Sequence, residues 1–224
     1  MLTLLTATGM RPEAWAICER LMMRQTFDGD VRWIIVDDGE TLQPITFERS
    51  GWVLDIIRPL PFWQPGQNTQ ARNLRAGLVR AMAGDRVVCI EDDDHVGPGY
   101  LADVDAWLDR ADLVGEPMAR YFNVATGAGK QLANNQHCSL CSTAMKGAAL
   151  EVFRNVVGKN KKFIDLELWR TFAGRKYISG TRHVVGIKGL PGREGIGVGH
   201  RMSGAGTSGL LRKWIGDDAG IYGY

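Results

Sequence analysis

What this 224-residue sequence lacks narrows its reading first. It has no run of about 18 apolar residues, so it offers no candidate for a membrane-spanning helix. The opening MLTLLTATGMRPE has neither the basic start nor the long apolar core of a secretory signal. The expectation is a soluble, cytoplasmic protein. An excess of one charge is also missing: the formal net charge is +2, too small for the basic stripe that announces nucleic-acid binding. Cysteine is scarce, and Cys18, Cys89, Cys138 and Cys141 sit in apolar surroundings without the spacing of a disulfide framework. Cys138-Ser139-Leu140-Cys141 follows His137, but no second CxxC completes a tetrahedral zinc site, so buried thiols are expected. No internal repeat is visible.

What is present suffices for a well-buried core: 45% of residues are hydrophobic and 23% charged, so residues 1–224 are expected to form a single domain. Leu2 to Leu5 is an apolar run, and after Thr6-Ala7-Thr8-Gly9 a helix begins near Pro12 with Ala14, Ile17, Cys18, Leu21 and Met22 on one face. Strands follow at Trp33 to Val36, which ends at Asp37-Asp38-Gly39, and at Trp52 to Ile57. Pro59 to Gly66, with Trp63, reads as an ordered loop. Asn68 or Thr69 can cap a helix whose buried stripe is Ala71, Leu74, Leu78 and Met82, with Arg72 and Asn73 beside it. Val87 to Ile90 is a fourth strand, and Pro98 opens a helix to about Leu108. This alternation predicts an α/β sheet that binds ligands at the carboxyl ends of its strands.

The second half is less regular. Leu113 to Val124 and Gln131 to Met145 read as strands, with a hairpin around Thr126-Gly127-Ala128-Gly129. Helices are expected at Ala148 to Val157 and Ile164 to Ala173, and short strands at Tyr177 to Ser179 and His183 to Ile187. From Gly186 onward, 12 glycines in 39 residues predict a mobile tail or lid over 186–224.

The chemistry concentrates where the fourth strand ends, in Glu91, Asp92, Asp93 and Asp94. Strand alternation sends Glu91 and Asp93 the same way, and carboxylates that close repel unless a cation joins them. A divalent ion answers that need, and so does a solvated acidic turn in which Asp92 or Asp94 caps the next helix.

Further stretches bear on this choice. Gln25-Thr26-Phe27, VDDG at 36–39, Ala71-Arg72-Asn73, IEDDDHVGPGYL at 90–101 and Ile164-Asp165-Leu166-Glu167-Leu168-Trp169-Arg170 occur in one order. Together they resemble the inverting family-2 glycosyltransferases of the GT-A fold, over roughly residues 2–175. The resemblance implies a three-layer α/β/α sandwich around a central, mostly parallel mixed sheet. It also implies a nucleoside diphosphate sugar donor, most naturally a UDP sugar, and Mn2+ or Mg2+.

By the same resemblance, Asp93 binds the metal, while Glu91 and Asp92 face the ribose side. Asp38 and Thr6 reach the base, and Arg72 lies against the base or a phosphate. Arg11 and the arginines of the glycine-rich stretch, Arg193 and Arg201, are assigned to the nucleotide sugar, and His200 to the metal. Asp165 matches the family's catalytic base, with Glu167 as the second candidate because Ile164 stands where the family has a glutamate.

The function implied is hexosyl transfer with inversion to a hydroxyl acceptor, whether a polysaccharide, a small molecule or a modified DNA base. Two other readings stay open: a nucleotidyltransferase, for which Thr8-Gly9-Met10-Arg11 is a poor phosphate loop, and a nucleotide-sugar-binding module without catalysis.

Overall fold

The computed structural model describes residues 1–134, 136–159, 163–193, 202–203 and 209–224. The chain begins with β1 (Leu2–Thr8), α1 (Pro12–Met23), β2 (Val31–Asp37), β3 (Trp52–Ile57), α2 (Gln70–Leu78), β4 (Arg86–Cys89), β5 (His95–Val96) and α3 (Tyr100–Arg110). It continues through β6 (Leu113–Gly115), β7 (Met118–Asn123), β8 (Ala128–Ala133), β9 (Thr143–Met145), α4 (Gly147–Gly158), α5 (Ile164–Thr171), β10 (Lys176–Ile178), β11 (Val184–Lys188) and α6 (Leu210–Ile215).

A seven-stranded sheet has the order β10-β6-β9-β4-β1-β2-β3. Its neighbours pair in parallel except at β9, which runs antiparallel to both β4 and β6. Helices cover both faces. Trp15, Cys18, Leu21 and Met22 of α1 and Tyr100, Leu101, Val104 and Leu108 of α3 pack on one face. Leu74 and Leu78 of α2, with Leu150, Phe153 and Trp169 of α4 and α5, pack on the other. These two cores make the three layers expected from the sequence. At about 1.5–3 kcal/mol for each large apolar side chain buried, they dominate the folding free energy.

Pro12 starts α1 without an N–H to satisfy, and Glu13 places a negative charge in that first turn. On the same face Trp15 meets Trp33 of β2, with ring centroids 5.1 Å apart. A second sheet, ordered β5-β11-β7-β8, lies beyond the carboxyl end of β4. The expected hairpin is present as β7 and β8, paired antiparallel from Met118↔Ala133 to Asn123↔Ala128.

Several sequence expectations change. The run Leu113 to Val124 is two strands in two sheets, because the chain breaks at Glu116-Pro117, and Pro117 has no N–H for a ladder. Gln131 to Met145 likewise divides into the end of β8, a 3-10 turn at Leu140–Ser142 and β9. Helix α2 ends at Leu78, so Met82 lies outside it and is exposed.

Within the stretch 186–224, Gly186, Ile187 and Lys188 complete β11 in parallel register with Tyr121, Phe122 and Asn123. Leu211, Ala219 and Tyr222 are buried against β7 and β11. Gly189, Gly192, Gly216 and Gly223 have positive φ, and residues 194–201 and 204–208 of the expected tail or lid lie outside the described residues. Among the described residues, no helix is long and apolar enough to cross a membrane.

Candidate active site

The strand order runs outward from β1 in both directions, through β2 and β3 on one side and β4 on the other. That reversal opens a crevice at the carboxyl ends of β1 and β4, where sheets of this kind bind ligands. A cavity of about 350 Å³ lies there, lined by Thr8, Arg11, Glu91, Asp92, Asp93, Lys188 and Arg193 together with Tyr121, His137, Cys141, Ile164 and Asp165.

The turn after β1 shapes the first wall. Gly9 has φ +145°, and a Cβ there would come within 2.5 Å of Asp38 Oδ1, so this position needs glycine. The turn delivers Arg11 to the acids: its Nη1 donates to Asp92 Oδ1 at 2.7 Å and its Nη2 to Asp93 Oδ2 at 2.8 Å. Thr8 Oγ1 donates to Asp92 Oδ2 at 2.7 Å.

The second cation is Lys188, at the end of β11. Its Nζ lies 2.9 Å from Asp94 Oδ1, 3.3 Å from Asp93 Oδ2 and 3.7 Å from Glu91 Oε2. The backbone N–H of Ile187 also donates to Asp94 Oδ1, at 2.9 Å, and Gln70 Nε2 donates to Glu91 Oε1 at 3.0 Å.

Burial raises the pKa of Glu91 and Asp92 against the pull of Lys188 and Arg11, and it raises Asp94 well above the carboxylate range. Asp93 differs. Burial acts on it too, but Arg11 and Lys188 both contact it and together hold it below the usual range. Burial opposes the Lys188 cation, and its three carboxylate neighbours overcome that. The acidic cluster is therefore a paired network rather than a solvated turn.

A second network surrounds Asp38, which is fully buried. Its Oδ1 accepts from Arg193 Nη1 at 2.8 Å and its Oδ2 from Arg72 Nη2 at 2.8 Å, while the Thr69 hydroxyl also donates to Oδ2. Arg193 Nη2 donates to Thr69 Oγ1 at 2.6 Å, and the guanidinium lies over the Trp63 ring, 5.2 Å from its centroid. Arg72 is tied further to the carbonyl of Pro61 at 2.7 Å. The VDDG and ARN stretches, 34 residues apart in sequence between Asp38 and Arg72, thus meet in one clamp.

The first turn of α5 presents Asp165 to the same cavity. Burial raises its pKa, while the backbone N–H groups of Leu166 and Asp165 and the nearby His137 act the other way.

The structure gathers Arg11, Asp38, Arg72, Glu91, Asp92, Asp93 and Asp165 around this crevice, with Asp38 and Arg72 reaching it through Arg193. Thr6 is not at the surface of it. Its hydroxyl accepts from Trp33 Nε1 at 2.9 Å inside the core, and Thr8, the true last residue of β1, is the threonine facing the site. Glu167 does not line the cavity, because two residues along a helix turn the side chain about 200° away from Asp165. His200 and Arg201 lie outside the described residues.

Sequence reasoning gave no role to Lys188, Thr8 or Gln70. Lys188 had one legible signal, a single cation closing the apolar run VVGIK. His137 lines the cavity, while Cys138 and Cys141 are buried free thiols as expected.

No family model matches the chain, and no curated protein matches it. Solved structures match it in shape. TarS of S. aureus superposes with a TM-score of 0.58 at 15% identity, covering 84% of this chain and 37% of TarS. TarS 1–349 in complex with UDP gives 0.54 at 13% identity, and in complex with UDP-GlcNAc 0.53 at 12%, each with 60% of the TarS chain covered. The fold is of the GT-A type. The chain thus spans between 37% and 60% of the length of these neighbours, and at such identity the likeness is one of fold.

A divalent ion held by Asp93, as the GT-A resemblance implies, does not fit the residues as they stand. Asp93 gives one oxygen to Arg11, and both of its oxygens lie 3.3 Å from the Lys188 ammonium. One ligand atom each from Glu91, Asp94 and Cys141 lie within 4.8 Å of one another, yet Lys188 already contacts the first two.

Proposed function

We propose that this protein transfers a sugar from a nucleoside diphosphate sugar, in the first place a UDP sugar, to a hydroxyl acceptor with inversion at the anomeric carbon. The observation that carries the proposal is the division of charge in the crevice: the cationic groups Arg11, Arg193 and Lys188, each paired with neighbouring acids, share one cavity with a half-buried carboxylate outside those ion pairs, Asp165. An inverting transfer needs that division. The acceptor hydroxyl gives its proton to the Asp165 carboxylate while its oxygen attacks the anomeric carbon. The bond from that carbon to the diphosphate oxygen breaks, leaving its electron pair on the diphosphate.

The raised pKa of Asp165 makes it a better proton acceptor than an exposed aspartate, and arginines already held in place by Asp38, Asp92 and Asp93 offset the charge that develops on the leaving group. The clamp of Asp38, Arg72 and Arg193 beside Trp63 suits a nucleobase, whose donors and acceptors must be paired once buried. The complexes of TarS with UDP and UDP-GlcNAc, in a shared fold, support the choice of donor.

Incubation with a panel of UDP and GDP sugars, read as nucleoside diphosphate release, tests this. Slow donor hydrolysis that Asp165→Asn removes is expected. Release of pyrophosphate from a nucleoside triphosphate and a sugar phosphate would instead identify a nucleotidyltransferase, and UDP binding without turnover of any donor would identify a binding module.

A further inference from the structure

The acids at the end of β4 differ from an ordinary metal cluster in one respect: the place among them is taken. Lys188 Nζ lies 2.9 Å from Asp94, 3.3 Å from Asp93 and 3.7 Å from Glu91. A divalent ion bound by those oxygens would sit at about 2.0–2.6 Å from them and so within a few ångströms of the ammonium, a like-charge contact that a low-dielectric site penalises heavily.

Lys188 is also held from behind. Its strand is in register with β7, and the preceding N–H, from Ile187, is bonded to the same Asp94 oxygen. The next residue, Gly189, has φ +80°, and a Cβ there would come within 2.4 Å of Asn123 Oδ1, so the chain can turn away only at glycine. Side chains of Lys188, Asp93 and Asp94 are each no more than 8% exposed. Across the crevice five carboxylates, Asp38, Glu91, Asp92, Asp93 and Asp94, are joined to four cations, Arg11, Arg72, Lys188 and Arg193. Little negative charge remains for an ion to neutralise.

We propose that Lys188 is the resident cation of this site, standing where a divalent ion would bind, and that the protein holds a nucleoside diphosphate without a metal. The second clause rests on the function proposed above; the first does not. With the diphosphate in the crevice, the Lys188 ammonium and the Arg11 guanidinium supply the positive charge that an ion would otherwise bring.

Mn2+ titration followed by electron paramagnetic resonance tests the cation directly, since the signal of the free ion is lost on binding. The wild-type protein is expected to leave the Mn2+ signal unchanged. Lys188→Ala, which leaves Asp94 and the half-buried Glu91 without their cation and Asp93 with Arg11 alone, is expected to gain at least tenfold in Mn2+ affinity, and Lys188→Arg to gain none. Should Lys188→Ala not fold, as circular dichroism would show, Lys188→Met preserves the side-chain volume, and the wild-type titration decides the matter by itself. One Mn2+ taken up by the wild type and lost in Asp93→Asn would overturn the proposal.

A parallel calorimetric titration with UDP, in EDTA and then in Mn2+, is expected to give equal affinity within twofold. UDP binding that requires Mn2+ would overturn the proposal while leaving the transferase reading intact. Absence of UDP binding under both conditions would overturn the transferase reading and the second clause with it, and the Mn2+ titration would still decide the first.

Discussion

Replacing Asp38 by asparagine isolates the clamp that joins the second and third motifs of the site. The carboxylate is fully buried and accepts from Arg193 and Arg72, each at 2.8 Å, and from the Thr69 hydroxyl. An asparagine keeps one oxygen and turns its NH2 toward one of the two guanidinium groups, setting donor against donor. One charge-assisted bond is therefore lost outright, at about 1.5–3 kcal/mol, and the other is weakened to a neutral acceptor. Arg193 keeps Thr69 and the Trp63 ring, and Arg72 keeps the Pro61 carbonyl, so the loss stays below the 3–5 kcal/mol typical of a broken buried pair.

The expected destabilisation is about 3 kcal/mol, which for a chain of this size lowers the melting temperature by about 6–12 °C. Urea unfolding should show a lower midpoint at unchanged slope. A cycle with Arg193→Met should return a coupling of about 1.5–3 kcal/mol, as expected for residues in direct contact. A loss under about 1 kcal/mol, or additive single effects, would refute the clamp.

Asp165→Asn should lower transfer by about a hundredfold or more, as removal of a general base does, while raising thermal stability at neutral pH. The sign follows from its raised pKa: the unfolded chain releases this proton first, so the group costs stability as pH rises from the ordinary aspartate value through the folded one. In the wild type, the acid limb of the rate profile should therefore lie above the ordinary aspartate range and vanish in the variant. His95 carries the opposite linkage. Burial lowers its pKa more than Asp218, 3.0 Å away, restores it, so stability should fall as pH drops below about 6.5, and His95→Gln should flatten that slope in pH-dependent melts. Cys18, Cys89, Cys138 and Cys141 are free and buried with their pKa raised by burial, so a thiol reagent should modify none of them in the native protein and all four in guanidinium. Rapid native modification would contradict the packing around them.

The first half of the fold was legible because its strands are apolar runs closed by turn residues, and β3 matched its reading from Trp52 to Ile57. β1 and β2 are joined through a helix, as are β3 and β4, while a loop joins β2 to β3, so local pattern and final architecture agree. The second half was harder for a physical reason: whether a strand joins the large sheet or the small one depends on distant partners. Leu113 to Val124 looked continuous, yet its two pieces pair with β9 and β10 on one side of Pro117 and with β8 and β11 on the other. Strand β5, only two residues long, exists through its pairing with β11 and has no period to read.

The site divided in the same way. Asp38, Arg72 and Asp92 were visible through motifs, whereas Lys188 reaches Asp93 across 95 positions of sequence from a strand whose pattern announces only burial. Thr6 was read as the threonine that ends the first strand because the apolar run ends at Leu5, while the ladder to β2 continues through Thr8↔Asp37.

The central claim is that the crevice at the ends of β1 and β4 binds a nucleoside diphosphate sugar. A titration of the isotopically labelled protein with UDP, followed residue by residue in nitrogen–proton correlation spectra, tests it most directly. The account predicts saturable shifts concentrated at Thr8 to Arg11, Asp38, Arg72, Glu91 to Asp93 and Arg193, with the exposed edge at β3 unmoved. Shifts centred elsewhere, or none at millimolar UDP, would contradict it.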